Sequence, residues 1–425
     1  GIDATFKDII EPLNDSFDVA DRDVYYEIFS YVIQLIRELP EAIHIDKTLE
    51  AFGLFTQQDL LDRVRDLILP DKVGPAHRNN VKKVFVLSRV TIGADVAVTS
   101  IIIERSKKLF PNARICFLAN SKNYELFGGE ENIKIIPMDY QRRGGLISRL
   151  ESWLHALESI NSETKDMEPG EYAIIDSNSR VTQLGLLPLV REDTGYYLFE
   201  PLAHADEEMR KLGEDVNEWL NKVFEGTIED FTYPALSVPA RYNEAAKGFY
   251  QKLFNNKEFA VTVNFGVGGN DDKRVSDEFE FEVVLHLIEQ GAKVILDEGF
   301  GEDEIERTER LIDRLKARGK TIMRVNEDLA FIEELKPDLI TYKGGIGQFA
   351  ALISQSQFYV GYDSMGQHVA AALEIPELVV FNGYPTEKFS WKWHPYGKGK
   401  IKIIHAEGKA EKDVLESTKK ILSVL

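Results

Sequence analysis

From Val81 onwards, short apolar runs alternate with longer segments whose apolar residues recur every three or four positions. Runs of five to eight apolar residues between such segments read as buried parallel strands, and the spaced segments as amphipathic helices packed on them. In order, the pattern predicts strand VKKVFVLS, a helix over 95–109, strand ARICFLA, a helix near 121, strand IKIIPM, a helix over 145–160, strands EYAIID and GYYLFE, and a helix over 204–223. Phe231 to Pro239, with two prolines and little periodicity, reads as a linker. The alternation then restarts with FAVTVNFG, a helix over 277–289, AKVILDEG, a helix over 303–318, KTIMRV, a helix near 330, DLITY and a helix from 345. SQFYVGY, a helix over 364–373, LVVFNG, IKIIH and a last helix to Leu425 complete it. Strands separated by helices at this spacing are βαβ units, so two Rossmann-like parallel-sheet domains in tandem are expected. Ligands of such sheets bind beyond the carboxyl ends of the strands, and facing domains would form one deep cleft.

Residues 1 to 78 follow another rule. Val24 to Leu39 and Leu49 to Leu69 have helical spacing without a convincing strand, and the segment carries 16 acidic against 8 basic side chains. An all-helical N-terminal domain (1–78) is expected, closed by Pro70, Gly74 and Pro75 and followed by α/β domains at 79–240 and 241–425.

Composition narrows the function classes. The 425 residues include 51 basic and 71 acidic side chains, a net charge of −20 that disfavours nucleic acid and anionic lipid. Gln141-Arg142-Arg143 and Lys398 to Lys402 are short basic patches and read as solvated loops. The 44% hydrophobic content contains no run near the ~20 residues of a membrane span, and no apolar leader follows Gly1. Cys116 is the single cysteine, which excludes an internal disulfide and cysteine-cluster metal sites. A cytoplasmic protein is expected.

Four segments carry candidate chemistry. In VGYDSMGQHVAAALEIPELVVFNG (360–383), a buried strand runs through Asp363 and Ser364 directly into an apolar helix. The bare amides and positive dipole of that helix start suit a phosphate, and Ser364 and His368 share one face. In NFGVGGNDDKRVS (264–276), Gly268 and Gly269 let the backbone approach an anion while Lys273 and Arg274 supply charge to a diphosphate. The segment lacks both the dinucleotide fingerprint and the P-loop ending. In SRVTIGADVAVTS, Asp95 opens a helix after the first strand, either as a cap or as a general base. The aromatic segment Phe389 to Pro395 either walls a nucleobase or sugar or packs on the domain beneath.

Together these segments resemble the heptosyltransferase family, inverting glycosyltransferases of GT-B architecture that use donors such as ADP-heptose. The likeness covers residues 81–425 in element order and is sharpest at DSMGQHVAAALEIPELVVFNG, GNDDK and VTIGADVAVTS. It implies transfer of a sugar, a heptose among the candidates, from a nucleotide-diphosphate sugar to a hydroxyl acceptor by a single inverting displacement without bound metal or cofactor. The resemblance makes Asp95 the base and Lys273 the diphosphate contact. It places Asp363 on the donor sugar and Ser364, Gly366 and His368 on the phosphates. Met365 stands where the family has glycine, and Gly-Ala-Asp replaces Gly-Asp before the base. The helical segment has no family counterpart and is a candidate for homo-oligomer contacts. Rival readings are a nucleotide-sugar epimerase or hydrolase on the same scaffold, and a binding protein without chemistry.

Overall fold

A computed structural model describes residues 9–68, 73–141, 145–191, 195–202, 209–225, 231–254, 258–331 and 336–424. Arg142 and Arg143 of the first basic patch, Pro70, residues 204–208 of one expected helix and 332–335 of another lie outside the described residues.

All twelve apolar runs named above form strands: β1 (Lys83–Leu87), β2 (Arg114–Ala119), β3 (Ile133–Pro137), β4 (Tyr172–Asp176), β5 (Tyr196–Leu198), β6 (Ala260–Asn264), β7 (Lys293–Asp297), β8 (Ile322–Asn326), β9 (Leu339–Lys343), β10 (Phe358–Tyr362), β11 (Glu377–Phe381) and β12 (Ile401–His405). They make two wholly parallel sheets, ordered β3-β2-β1-β4-β5 and β12-β11-β10-β6-β7-β9-β8. In each sheet the first strand in sequence lies inside, and strand order reverses beside it. The switch points are therefore β1/β4 and β6/β10, where carboxyl-end loops diverge and leave room for a ligand.

The chain divides into two compact units, each taking a short excursion from the other's stretch of sequence. The first holds residues up to Tyr124, Glu131–Pro234 and Pro385–His394; the second holds Glu125–Glu130, Ala235–Tyr384 and the residues from Pro395 on. One division falls at Pro234/Ala235, close to the boundary expected at 240, and none falls at 78. The N-terminal helices are present, but they do not form a domain of their own. Helix Val19–Arg37, capped by Asp18 through Ala20 N at 2.8 Å, buries Tyr25, Tyr26, Phe29, Ile33 and Ile36. Helix Gln57–Ile68 buries Leu60, Leu61, Val64 and Leu67. These stripes share one hydrophobic core with Phe85, Leu87, Cys116, Leu118 and Ile174 of the first sheet. One face of the sheet is thus covered by helices from the far N-terminus, and neither layer is apolar on that face without the other.

There are three local differences from the pattern. The helix expected over 95–109 begins with a π-helical turn at Asp95–Thr99 and becomes α-helical at Ser100–Leu109. The π-turn directly follows the short α-helical turn Ile92–Ala94 that contains Gly93, and such turns recur at functional sites. The stretch after the prolines contains an unforeseen helix, Ala240–Phe254, burying Tyr242, Ala246, Phe249 and Tyr250 at helical spacing. Its polar content and the prolines before it obscured that stripe. Finally, the aromatic segment belongs to the first unit. Within that unit Lys392 pairs with Asp215 at 2.5 Å, Trp391 Nε1 donates to Met209 O at 2.8 Å, and Phe389 lies 6.1 Å from Phe17. It anchors on the domain beneath, the second of its two readings.

Candidate functional site

In the second unit the two expected phosphate loops leave the two strands flanking the switch point. The loop after β6 turns at Gly268 (φ 63°) and Gly269 (φ 83°), where an added Cβ would meet open space. Glycine is required there by backbone conformation, not by crowding. The loop returns Lys273 towards the end of β10, where its Nζ lies 2.5 Å from Asp363 Oδ2 and 3.3 Å from Asp363 O. Gln367 Nε2 donates to Asp363 Oδ1 at 2.6 Å and stands 3.4 Å from His368 Nε2. Lys273, Asp363, Gln367 and His368 therefore form one connected cluster.

Ser364 is the N-cap of helix Met365–Ala372 but makes no side-chain cap bond; its hydroxyl instead donates to Asn264 Oδ1 at 3.3 Å. The first amides of the helix thus have no capping side chain, and they adjoin the Lys273 ammonium. Partial positive charge from the helix and full charge from the lysine act in one place, which suits a phosphate group. His368 is buried, and burial lowers its pKa to about 4, with Asp363 opposing and Lys273 reinforcing the shift. At neutral pH it is an uncharged imidazole.

Two expected residues have other engagements. Arg274 is held by Asp277 at 2.6 Å and Glu280 at 2.8 Å, so it braces the loop internally. Gly366 faces Tyr359: a Cβ there would stand 2.0 Å from the tyrosine hydroxyl, a packing reason for glycine independent of any phosphate. Met365 is half-buried in the first turn.

Sequence reasoning missed a cavity beside the glycine loop, with about 300 Å³ of space open to solvent, lined by Gly266, Asp297, Glu298, Glu304 and Arg307. Glu304 accepts from Val267 N at 3.1 Å and Phe300 N at 3.0 Å, tying the glycine loop to the start of helix Glu302–Ala317. Asp297 ends β7 and accepts from Asn264 Nδ2 at 2.7 Å. Burial raises its pKa to about 7, against a pull downward from Gly299 N and with a push upward from Glu304. Carboxylates in this position are acceptors for hydroxyl groups. The signal in the sequence was the DEGFGEDEIER stretch immediately after a strand.

In the first unit Asp95 lies at the β1/β4 switch point and is completely buried. It accepts from Ser88 Oγ at 2.6 Å, Arg89 N at 2.8 Å and Thr99 Oγ1 at 2.9 Å, and from the Asn123 side chain. Burial raises its pKa to about 6 in spite of these donors. A carboxylate poised near neutrality matches the requirement of a general base, while its filled acceptor sites hold it in place. Among the described residues no group of three or more histidine, cysteine, aspartate or glutamate side chains is arranged to hold a metal ion, and no helix is long and apolar enough to cross a membrane.

Two parallel α/β units of this topology make a GT-B-like fold, with an amide-rich strand-to-helix turn in the second unit. Residues 252–422 match the profile of glycosyltransferase family 9 (heptosyltransferase), which covers the switch-point loops of the second unit. A glycosyltransferase family 9 structure from Veillonella parvula is 17% identical, with a TM-score of 0.56 over 81% of this chain and 93% of that one. The E. coli heptosyltransferase WaaC with ADP is 18% identical, with a TM-score of 0.56 over 80% and 99% of the two chains. E. coli ADP-heptose lps heptosyltransferase II is 16% identical, with a TM-score of 0.52 over 80% and 98%. At these identities the structures establish the fold. No curated protein sequence matches the chain.

Proposed function

We propose that this protein transfers a sugar from a nucleoside-diphosphate sugar to a hydroxyl acceptor with inversion, and that ADP-heptose is a candidate donor. The observation that carries this reading is the Lys273–Asp363 pair beside the uncapped helix start at Met365. Lys273 leaves Asp363 for the diphosphate when the donor binds, and Asp363 is then available to a sugar hydroxyl. The first amides of the 365–372 helix stabilise charge on the departing diphosphate without need of a metal, and neutral His368 contributes a hydrogen bond. Carboxylates Asp297 and Glu304 accept hydroxyl groups of the nucleoside. Asp95 takes the acceptor proton.

A second reading has its own support. The complete burial of Asp95 and its four donors suit a structural carboxylate, which would leave a nucleotide-sugar-binding protein without transfer. Calorimetric titration with ADP and ADP-heptose, followed by transfer assays against a panel of hydroxyl acceptors, separates the two. Lys273→Ala is expected to weaken ADP binding by about 10- to 100-fold, the range for hydrogen bonds to charged groups. Asp95→Asn is expected to keep donor binding and lower the transfer rate by at least about 10²-fold. Unchanged turnover in that variant removes Asp95 as the base, and absence of binding by any nucleoside diphosphate removes the donor site. Incubating the donor without acceptor tests for the epimerase or hydrolase alternative through isomerised sugar or released nucleoside diphosphate.

A further inference from the structure

The helices before residue 79 do more than cover the first sheet. They wall a pocket over its switch point, about 360 Å³ of space that includes open solvent. Leu13, Phe17 and Tyr25 contribute from the helical layer, and Leu184 and Leu202 from the loops after β4 and β5. Its polar lining is Asn14, Arg22, Arg89, Asn178 and Glu200.

Two independent observations mark this pocket as a binding site. The first is backbone strain. Seven described non-glycine residues have positive φ, and three of them line the pocket: Phe17 (53°), Asn178 (69°) and Leu184 (57°). Val90 (63°) adjoins Arg89, and Gln183 (51°) adjoins Leu184. Left-handed leucine, phenylalanine and valine are costly and persist only where the surroundings over-determine them, a condition concentrated at ligand sites. The helical layer supplies that constraint. Tyr26 Oη donates to Leu184 O at 3.1 Å and to Glu200 Oε2 at 2.9 Å, and Arg63 donates to Gly185 O.

The second is charge. Arg22 is paired with Asp23 at 2.7 Å, and Glu200 accepts from Tyr26, from Asn178 Nδ2 at 3.3 Å and from Leu202 N at 3.1 Å. Arg89 is half-buried, donates to Ser177 O at 2.7 Å and forms no ion pair with any carboxylate among the described residues. A partly desolvated guanidinium facing apolar and aromatic walls is complementary to an anion carried on an apolar body.

We propose that this pocket binds a small molecule bearing a carboxylate or phosphate on an apolar or aromatic body, with its anionic group on Arg89 and its body against Phe17, Tyr25 and Leu184. The site is built partly from residues 13–25 and does not depend on the glycosyl-transfer reading.

The test is calorimetric or ligand-observed NMR titration of the full chain with 3-phenylpropionate, phenyl phosphate and the neutral 3-phenyl-1-propanol. For ligands of this size a dissociation constant of about 1 mM or tighter is expected for an anion, from the usual efficiency per heavy atom. The alcohol should bind at least about 10-fold more weakly, one charge-assisted hydrogen bond being at stake. The tighter of the two anionic probes identifies the head group. Arg89→Gln should remove the preference for anions, and Leu13→Trp, at the half-buried rim, should block all three probes with the melting temperature retained. Equal binding of the alcohol, binding unaffected by either variant, or no binding of either anion overturns the proposal. If Arg89→Gln does not fold, the anion-over-alcohol ratio of the wild type and the Leu13→Trp result decide it.

Discussion

At the scale of single residues, most side chains singled out in the second unit answer to packing as well as to chemistry, and the two roles can be separated. Gly366 is the clearest case, because its hydrogen faces the hydroxyl of the buried Tyr359. Gly366→Ala is expected to destabilise by about 1–3 kcal/mol, as overpacking does in well-filled sites. Adding Tyr359→Phe removes the clashing oxygen and should recover a large part of that loss in urea unfolding. If the second substitution recovers nothing, crowding by Tyr359 is not what selects glycine. His368 yields a pH prediction. Its folded pKa, about 4, lies below the ~6.5 of an unfolded histidine, so the unfolded chain takes up the proton first as pH falls. Its contribution is therefore complete above pH 6.5 and declines through the window down to pH 4. From pH 7 to 5 this amounts to about 2 kcal/mol at 1.36 kcal/mol per pH unit. Asp95, Asp297 and Glu280, whose pKa values burial raises to about 6, 7 and 7, act in the opposite sense over overlapping ranges. The informative measurement is thus the wild-type stability minus that of His368→Gln at pH 7 and pH 5. That difference should shrink on acidification, and a constant difference would show that His368 is not buried uncharged.

Among elements, the strands were the legible part. Val84 to Leu87 and Phe358 to Val360 are apolar without interruption, and Val261 to Val263 is broken only by Thr262; such runs mark strands buried on both faces, and each became a central strand of its sheet. The turn after β10 was legible for a related reason: a strand running directly into a helix start leaves few geometries for Asp363 and Ser364. What could not be read was anything fixed by residues distant in sequence. Nothing near Leu184 announces that Tyr26, 158 residues earlier, donates to its carbonyl, or that Arg63 donates to the next one. Likewise Lys392 gives no local sign of Asp215, 177 residues away. The loop after β4 consequently depends on the helical layer for its conformation. Tyr26→Phe removes the donor to Leu184 O and Glu200 together, leaving buried acceptors short of a partner at a cost of about 1–3 kcal/mol. Amide exchange around residues 183–187 should accelerate in this variant by more than in the sheet itself. Uniform acceleration across the first unit would mean that the tyrosine supports the unit generally and not this loop.

For the whole molecule, the shared core of the first unit changes what residues 1–78 are for. A segment with its own core can be removed with little effect on its neighbour, whereas Tyr25, Phe29, Ile33, Leu60 and Val64 bury their side chains in one cluster with Phe85, Leu87 and Cys116. Each fully buried side chain of this size contributes about 1.5–3 kcal/mol through removal from water, so losing five of them, about 7.5–15 kcal/mol, is comparable with the whole margin of about 5–15 kcal/mol that keeps a domain folded. A chain starting at residue 79 is therefore expected to lose the cooperative unfolding transition of the first unit. Cys116 provides a site-specific reading of that loss. It is the single cysteine, its side chain is completely buried on β2, and burial raises its thiol pKa, so both access and ionisation oppose reaction in the intact protein. Thiol reagents should leave the full chain unmodified over hours in native buffer and label the truncated chain at close to the rate of the urea-unfolded protein. Protection of Cys116 in the truncated chain would show that the first sheet keeps its cover without the helices, and residues 1–78 would then be a separable domain after all. The same measurement bears on the pocket at Arg89, since a sheet that folds without the helical layer would still lack Leu13, Phe17 and Tyr25 and should lose its preference for anionic aryl probes.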